Sequence, residues 1–474
     1  MSELTKNRGV RPFGIRDKFG YLFGDFGNDF TFILSSSFLL KFYTDVIGVK
    51  AGVVGIVMML ARFLDAFTDV FMGRLCDRSR CGKHGKFKPW LLRMAGPVAI
   101  SSFLIYQYSI ATAAMWIKIS WLVVTYILWG SVFYTSVNIP YGSMASAISD
   151  NPEHRQSLST WRSMGATLAG AVIGAGVPLF VYRESVVDGQ TVALLDGRAF
   201  TIAAGVLSIL AVGAYLLCFY LTTERVKVPT PEPHEHRSVG VMLRSAFKNR
   251  ALLSMIVASV IMLMAQLTMQ QMANYVYPNY YGNYGAMTVS TLAMLAAMVI
   301  AATLVKPLTK RVGKAEISVF ANLVAAGVSA ALFFIRPESV WTFVALQLLM
   351  WLGLGIFTMV SWALITDVID HSELINGVRE DGTIYAMYSF ARKLGQSLSA
   401  GFVGLLLTVI GYSEENAFTE SVRQGIFNIA TLVPAVGFLL LAFVLWFWYP
   451  LHKKTVENNV RLLREKRNDG ETNS

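Results

Sequence analysis

Three ionisable side chains lie within a stretch of eight residues that is otherwise almost entirely apolar. Arg62, Asp65 and Asp69 are separated mainly by phenylalanine, leucine and alanine. Their spacings of three and four residues place all three side chains on one face of a helix. An ionisable side chain at bilayer depth costs at least roughly 2.5–3.5 kcal/mol, so such residues usually mark an ion or substrate path. The pattern predicts a cation site.

The composition indicates that this helix lies in a membrane. The chain has 474 residues, of which 54% are hydrophobic and 15% charged, and its mean hydropathy is +0.50. Apolar stretches longer than the roughly 20 residues that a spanning helix needs recur along it. We therefore expect an all-α polytopic membrane protein with about twelve transmembrane helices. The candidate spans are residues 18–44, 51–76, 89–111, 117–143, 158–183, 198–222, 250–281, 286–308, 315–335, 338–366, 381–411 and 424–449.

Lysine and arginine are concentrated in alternate loops. They crowd the N-terminal segment, the loop at 74–88, the connector 223–249, the turn at 310–314 and the tail 450–474. Cytoplasmic loops carry such an excess, so we expect these segments and both termini in the cytoplasm. A basic patch can also bind nucleic acid, but the alternation along the chain favours a topology signal.

A proline-containing connector divides the predicted helices into two sets of six. Residues 1–222 form the first half, 223–249 the cytoplasmic connector, 250–449 the second half and 450–474 a basic tail. Glycine-plus-basic turns at 73–80 and 308–314 occupy corresponding loops of the two halves. Repeated halves around a central path are typical of secondary transporters, whose binding site lies near the midplane.

Five segments then carry a resemblance to a known family. They are residues 65–74, 85–90, 138–143, 367–370, and 382–385 together with 392–396. In this order they resemble the glycoside–pentoside–hexuronide:cation symporters, the family of melibiose permease within the major facilitator superfamily. The resemblance implies a twelve-helix facilitator fold in a bacterial inner membrane that couples sugar uptake to Na⁺ or H⁺, without a further cofactor.

The resemblance assigns the coupling cation to Asp65 and Asp69, with Thr135 as a hydroxyl ligand. Hard cations prefer such oxygen ligands. Thr68 stands where the melibiose permease pattern has asparagine, a stronger Na⁺ ligand, although its hydroxyl oxygen can still contribute. Paired aspartates can instead share a proton, because like charges held close raise the proton affinity of one carboxyl group. The sequence therefore favours H⁺ as the coupling ion, with Na⁺ as the alternative.

A polar stripe in the first span can line a cavity, and the resemblance implies that this cavity binds the sugar. Asp25, Asn28 and Asp29 lie at i, i+3 and i+4 among large apolar residues. In the family the acid that matches Asp29 binds sugar hydroxyls, and a carboxylate can accept two of them. The alternative is an internal ion pair between this stripe and Arg62 or Arg162.

The charge of the predicted pocket favours an anionic sugar. Asn138 stands where melibiose permease has its second sugar-binding aspartate, and residues 138–143 resemble the glucuronide carriers. With Arg62, Arg162 and Lys393 in predicted spans, a hexuronide meets less repulsion than in a melibiose-like site. Neutral pentosides remain an alternative substrate class, because Asp25 and Asp29 can balance the cations without any ligand.

The resemblance also gives roles to residues outside this stripe. It gives Arg162 a sugar-site or gate role and places Lys393 opposite the second-helix aspartates; the alternative is that such cations snorkel toward an interface. Trp129 and Trp362 can stack on a sugar ring, although tryptophan is also enriched at membrane interfaces. The residues that we expect to form gating ion pairs are Arg74, Asp77, Arg78, Asp367 and Asp370.

Other classes of protein fit the sequence less well. It contains no HExxH, no GxSxG and no glycine-rich phosphate loop, so an enzyme is not indicated. The expected partners are a sugar, a coupling cation and the lipid bilayer, without nucleic acid. The remaining rivals are Na⁺-coupled transport of a neutral glycoside and a facilitator-fold carrier of lysolipids.

Overall fold

The computed structural model describes residues 11–79, 81–82, 84–187, 190–226, 249–376 and 381–472. These residues are almost entirely helical, as the hydropathy pattern predicts. Most of the predicted connector, residues 227–248, lies outside the described residues, as do the first ten. The helices are α1 Ile15–Asp45, α2 Ala51–Arg78, α3 Lys88–Ile105, α4 Met115–Ile148, α5 Pro152–Val181, α6 Gly197–Leu221, α7 Arg250–Tyr280, α8 Gly285–Arg311, α9 Lys314–Ile335, α10 Val340–Asn376, α11 Asp381–Val409, α12 Glu420–Trp448 and α13 Lys453–Thr472.

Within the described ranges, nine of these helices are long and apolar enough to cross a membrane: α2, α4 to α10, and α12. The helices α1, α3 and α11 cover the other three predicted spans without reaching that standard, so the count of twelve stays a prediction. Large apolar side chains such as Phe334, Ile209 and Val409 are more than 70% exposed on helix surfaces. Such surfaces suit contact with hydrocarbon, and the chain is a multi-pass membrane protein.

The structure contains two compact units. Unit A comprises described residues 11–42, 64–181 and 195–226, and unit B comprises 43–63, 182–194 and 249–472. The helix α2 contributes its first part to unit B and its second part to unit A. The sheet strands β1 Tyr182–Val187 and β2 Gln190–Leu195 pair with each other, and residues 182–194 belong to unit B. The predicted division into halves 1–222 and 250–449 stays a prediction.

Polar contacts within unit A hold the start of the connector against the segment before α1 and against the start of α3. Asp17 is fully buried and forms ion pairs of 2.9 Å with both Arg11 and Arg225. The Glu224 carboxylate accepts hydrogen bonds of 2.7 to 3.0 Å from three successive backbone N–H groups, those of residues 86 to 88. These donors lie at the start of α3, where a helix leaves N–H groups unsatisfied and favours negative charge. The beginning of the connector is therefore fixed against α3.

Small residues bring α2 and α11 together within unit B. A Cβ atom on Gly404 would lie 2.5 Å from the backbone oxygen of Ala51, and one on Gly55 would lie 2.9 Å from that of Ala400. Ser397 Oγ donates to the backbone oxygen of Met59 at 2.7 Å. Backbone contact of this kind is typical of membrane helices packed through small residues.

A half-buried carboxylate, that of Asp45, lies beyond the end of the same helix pair. Tyr412 donates its hydroxyl to the Asp45 carboxylate, whose two oxygens lie at 2.8 and 2.9 Å. Burial and the neighbouring Asp45 charge raise the pKa of Tyr412 well above its usual value. The phenol therefore remains a hydrogen-bond donor across the physiological pH range.

Candidate functional site

The two carboxylates of α2 in unit A each accept a hydrogen bond from a hydroxyl of α4. Thr135 Oγ1 donates to Asp69 Oδ1 at 2.7 Å, and Ser131 Oγ donates to Asp65 Oδ1 at 2.5 Å. Each helix contributes residues four apart, so the contacts form two successive rungs between α2 and α4. The structure thus brings together the predicted Asp65, Asp69 and Thr135, and it adds Ser131.

The helix α4 departs from regular α geometry where these hydroxyls lie. Residues Leu128–Tyr134 are π-helical, and the backbone N–H of Thr135 reaches the carbonyl of Gly130, five residues back. Short π-helical segments are frequent at functional sites because they change the direction of side chains. A Cβ atom on Gly130 would lie 3.3 Å from both carboxylate oxygens of Asp65. The backbone of α4 therefore lies directly against this carboxylate.

Thr68 is oriented differently from the other predicted cation ligands. Its Oγ1 donates to the backbone oxygen of Asp65 at 3.2 Å. Helical threonine commonly bonds back to the carbonyl three or four residues earlier. The hydroxyl proton of Thr68 is thus directed along α2 rather than toward either carboxylate, which leaves the lone pairs of its oxygen able to bind a cation, and the role of Thr68 as a cation ligand stays a prediction.

The ligand set of the two rungs favours a small cation. It offers two carboxylates and two hydroxyls, all of them oxygen donors on rigid helices. Among the residues described, no group of three or more histidine, cysteine, aspartate or glutamate side chains could hold a metal ion. A divalent ion such as Ca²⁺ takes a cage of about six to eight oxygen ligands. A site with two carboxylates and two hydroxyls therefore suits a proton or a monovalent cation better than a divalent ion.

The predicted sugar stripe of α1 meets α5 through an ion pair. Arg162 Nε donates to Asp25 Oδ1 at 2.9 Å, and the two side chains are 40% and 8% exposed. The internal ion pair that the sequence offered as an alternative is therefore present for Asp25. Arg162 also forms a hydrogen bond with the Tyr21 hydroxyl, and its side chain is still exposed enough to reach a ligand with the remaining N–H groups.

Close backbone approaches of α1 to α4 and α5 hold this pair in place. A Cβ atom on Gly24 would lie 2.2 Å from the ring of Tyr141, and one on Gly165 would lie 2.4 Å from the backbone oxygen of Leu22. The Arg162 guanidinium lies over the Tyr141 ring, 5.3 Å from its centroid. Glycine is required at these two contacts because a larger residue would separate the helices.

The other two residues of the stripe keep hydrogen-bonding capacity. Tyr215 donates its hydroxyl to Asn28 Oδ1 at 2.8 Å, while Asn28 Nδ2 is buried without a partner among the described residues. The Asp29 carboxylate is half-buried and accepts no hydrogen bond within that part of the chain. Unpaired donors and acceptors inside a protein are costly, and sugar hydroxyls can satisfy both kinds.

Two predicted sugar ligands lie on α4, and they differ in burial. Asn138 is half-buried, three residues after Thr135, which corresponds to about 4.5 Å along the helix axis. Trp129 is fully buried, with its ring 5.5 Å from those of Tyr126 and Tyr134. The Trp129 ring is therefore part of the packing and has no face open to a sugar in this conformation.

The remaining predicted ligands belong to unit B. Trp362 is 39% exposed and stacks on Tyr385 at 5.0 Å, with the Arg392 guanidinium 5.7 Å from its ring. Arg62 and Lys393 are both half-buried. The Trp362 face and its neighbouring cation form an aromatic surface of the kind that binds the apolar side of a sugar ring.

One predicted gating residue has a partner that the sequence did not indicate. Asp367 forms an ion pair of 2.6 Å with Lys314 at the start of α9, within unit B. On α2, Arg74 and Arg78 are exposed, and the backbone oxygen of Asp77 accepts a hydrogen bond of 2.9 Å from Lys86 Nζ. Asp370 is half-buried one turn after Asp367. The gating role of all five predicted residues stays a prediction.

Comparison with known protein sequences places this chain in a family. Residues 20–453 match the family of MFS/sugar transport proteins. The glucuronide carrier protein homolog of Escherichia coli (strain K12) is 32% identical over 92% of each chain. YjmB of Bacillus subtilis (strain 168), named an uncharacterized symporter, is 30% identical over 95% of this chain and 96% of its own.

The fold is also found in solved transporter structures. The nucleoside transporter NupG superposes with a TM-score of 0.58 at 14% identity, over 92% of this chain and 99% of NupG. This likeness concerns the fold alone. The sequence matches extend over nearly the whole chain. The chain therefore belongs to the glycoside–pentoside–hexuronide:cation symporter family of the major facilitator superfamily, and it is a sugar transporter rather than an enzyme.

Proposed function

We propose that this protein is a symporter that couples the uptake of an anionic sugar of the hexuronide class to the entry of protons by alternating access. The observation that carries the proposal is that α4 connects the two candidate sites. Its Ser131 and Thr135 hydroxyls contact the carboxylates of α2, and farther along the same helix the ring of Tyr141 lies against α1 at Gly24 and under the Arg162 guanidinium.

This arrangement supplies a route for coupling. Protonation of Asp65 or Asp69 removes a negative charge and changes the hydrogen bonds that hold α4 to α2. Because Asn138 and Thr135 are less than one turn apart, a displacement of α4 acts on both sites. Two ligands that each favour the same arrangement of one helix necessarily raise each other's affinity.

The guanidinium of Arg162 supports an anionic substrate. Asp25 occupies Nε and balances the charge while the side chain remains 40% exposed. The terminal nitrogens can bind a carboxylate in the two-point manner that arginine favours. A relative that is 32% identical is named a glucuronide carrier, which agrees with this assignment.

Sugar binding has further donors and acceptors in unit A. The Asp29 carboxylate can accept two sugar hydroxyls, and Asn28 Nδ2 can donate to one when the pocket opens. We propose a bacterial inner membrane as the location, with both termini in the cytoplasm, because lysine and arginine alternate along the loops.

Transport by purified protein in proteoliposomes tests the proposal. A radiolabelled aryl glucuronide is offered beside a matched neutral aryl xyloside, under a pH gradient without Na⁺ or a Na⁺ gradient at equal pH. We expect the glucuronide to accumulate on the pH gradient and Asp65→Asn to abolish accumulation. Movement of neutral glycosides alone would contradict the anionic assignment and support neutral glycoside transport. Absence of any sugar transport would favour the lysolipid alternative.

A further inference from the structure

Among the described residues, Arg336 is the one residue other than glycine with a positive φ. It follows α9 directly, with a φ of 48° and a ψ of 63°, and its backbone N–H donates to the carbonyl of Leu332. Glycine is the usual residue at such a position, because a side chain strains a left-handed backbone. The chain has an arginine where glycine would suit the backbone better, which points to a function of the side chain itself.

The Arg336 guanidinium is held in a fixed position by α12. It donates to Gln424 Oε1 and, at 3.0 Å, to Asn428 Oδ1, and it lies 5.7 Å from the ring centroid of Phe333. Both acceptors are neutral amides, so they fix the direction of the guanidinium without balancing its charge. A guanidinium has five N–H groups, and these two contacts leave the others for a further acceptor.

No carboxylate neutralises Arg336 within the part of the chain that the structure describes. Glu420, one turn before Gln424, accepts a hydrogen bond of 2.6 Å from Gln424 Nε2 and forms an ion pair of 3.3 Å with Arg423. Arg423 therefore balances the charge of Glu420. Arg336 is exposed, so its own charge is open to the surroundings of unit B.

An apolar surface continues from this cation along the two helices. One face of α12 carries residues at intervals of four, namely Gln424, Asn428, Leu432 and Val436. The first two hold Arg336, and the last two are exposed apolar side chains, as is Phe334 on α9. The helices are in contact there, since Ser329 Oγ donates to the backbone oxygen of Thr431 at 2.7 Å. The surface thus changes from cationic to apolar along the helix axes.

The length of α9 places Arg336 at a membrane interface. The helix has 22 residues, which corresponds to about 33 Å, and the hydrocarbon core of a bilayer is about 30 Å thick. The end of α9 therefore reaches the depth at which lipid phosphate groups lie, and the exposed apolar side chains lie beside the acyl chains. Arginine suits a phosphate group because it can bind two oxygens at once.

We propose that Arg336 binds the phosphate group of an anionic phospholipid whose acyl chains lie on the exposed surfaces of α9 and α12. A lipid fits better than a free phosphate ion, because the apolar surface continues directly from the cation. The net negative charge of the lipid complements an arginine that no described carboxylate neutralises. The site lies within unit B, and the inference depends neither on the sugar nor on the coupling ion proposed above.

Thermal unfolding of the purified full-length protein in detergent tests this site. The additives are phosphatidylglycerol, phosphatidylcholine, and glycerol phosphate, which has no acyl chains. The variants are Arg336→Gly and Arg336→Asn, both of which suit a left-handed backbone. Arg198→Asn is the matched control, because Arg198 is an exposed arginine at the end of another apolar helix, α6.

We expect phosphatidylglycerol to raise the unfolding temperature of the wild-type protein, because a ligand that binds only the folded state stabilises it. Phosphatidylcholine should raise it less, and glycerol phosphate should leave it unchanged. In both Arg336 variants the phosphatidylglycerol concentration that gives half the maximal shift should rise at least roughly tenfold, which corresponds to about 1.4 kcal/mol of lipid binding. Arg198→Asn should respond at the wild-type concentration.

Four results would overturn the proposal. Equal shifts with the two lipids would contradict the preference for an anionic lipid, and an equal shift with glycerol phosphate would indicate a site for free anions. A tenfold rise in Arg198→Asn as well would indicate attraction to any surface arginine. An unchanged response in both Arg336 variants would show that Arg336 only holds α9 against α12. Because no sugar is present, none of these results bears on the proposed symport.

Discussion

Arg162 and Asp25 join α5 to α1 through a hydrogen bond from Nε to Oδ1 at 2.9 Å, while the Arg162 side chain remains 40% exposed. The carboxylate is nearly enclosed, whereas the arginine is not. Asp25 thus fixes the direction of Arg162 and lowers the cost of keeping a cation in the membrane. This relationship underlies the assignment of an anionic substrate.

Arg162→Lys should weaken the transport of glucuronides more than that of neutral glycosides. Lysine keeps the charge but cannot bind Asp25 and a substrate carboxylate with separate, rigidly oriented nitrogens. We expect KM for a glucuronide to rise roughly tenfold or more, the effect of losing about 1.4 kcal/mol. Initial uptake rates over a range of glucuronide concentrations measure it.

Arg198→Lys is the matched control, because Arg198 lies exposed at the start of α6 beside Tyr108. Its KM should equal that of the wild-type protein. A glucuronide KM that is unchanged in Arg162→Lys would show that the substrate carboxylate binds elsewhere.

Gly165→Ala should abolish transport by separating α5 from α1. The added methyl group would lie 2.4 Å from the backbone oxygen of Leu22, which cannot move independently of its helix. Overpacking of this kind typically costs about 1–3 kcal/mol. Gly176→Ala on the same helix is the control, since no atom lies within 4 Å of that position. Uptake and thermal unfolding of the two purified variants should differ clearly; equal behaviour would refute a required α1–α5 contact.

Tyr412→Phe should destabilise unit B. The substitution removes the hydroxyl that donates its one proton to the Asp45 carboxylate, with almost no change of shape. A hydrogen bond to a charged group contributes about 1.5–3 kcal/mol, so the unfolding temperature in detergent should fall measurably. Tyr108→Phe, at an exposed position, should leave the unfolding temperature unchanged. A Tyr412→Phe protein as stable as the wild type would contradict a stabilising role for this contact.

Glu224→Gln should loosen the start of the connector. The carboxylate accepts three backbone N–H groups at the start of α3, where negative charge is favoured. Loss of a helix cap costs about 0.5–2 kcal/mol. Limited proteolysis should cleave the variant faster near residue 226, whereas Glu153→Gln, at the exposed start of α5, should be cleaved at the wild-type rate. Equal cleavage of Glu224→Gln and the wild type would argue against this anchor.

The hydropathy of the chain predicts the helices well because spanning segments leave little freedom. Every backbone polar group in hydrocarbon must be satisfied within its own segment, so a long apolar run becomes a helix. The spacing of Asp65 and Asp69 likewise places them on one face without knowledge of tertiary structure. The pairing of Asp25 with Arg162 could be named as an alternative, since buried charges need partners.

Other features depend on details that no residue pattern reveals. Ser131 reaches Asp65 from a π-helical segment, and the separation of 66 residues between them in sequence carries no periodic signal. The hydrogen bond from Thr68 to the backbone is an exception that the sequence could have predicted, because serine and threonine side chains often donate to a carbonyl of the preceding helical turn. The enclosure of Trp129 depends on the packing of neighbouring rings, which sequence spacing does not determine.

The Lys314 partner of Asp367 and the Glu224 cap of α3 follow from how separate segments pack. Both join residues across a loop or a whole set of helices. The sequence identifies such charges as needing partners, but many combinations satisfy that requirement. The choice among them is made only when the helices come together.

Proton movement that accompanies sugar entry tests the central claim most directly. A pH-sensitive dye is enclosed in proteoliposomes, and a glucuronide is added outside without Na⁺ and without an initial pH gradient, with the membrane potential clamped. We predict acidification of the lumen with the wild-type protein and none with Asp65→Asn. Glucuronide entry without a change of luminal pH would contradict proton symport, and acidification by Asp65→Asn would contradict the assignment of the carboxylate pair.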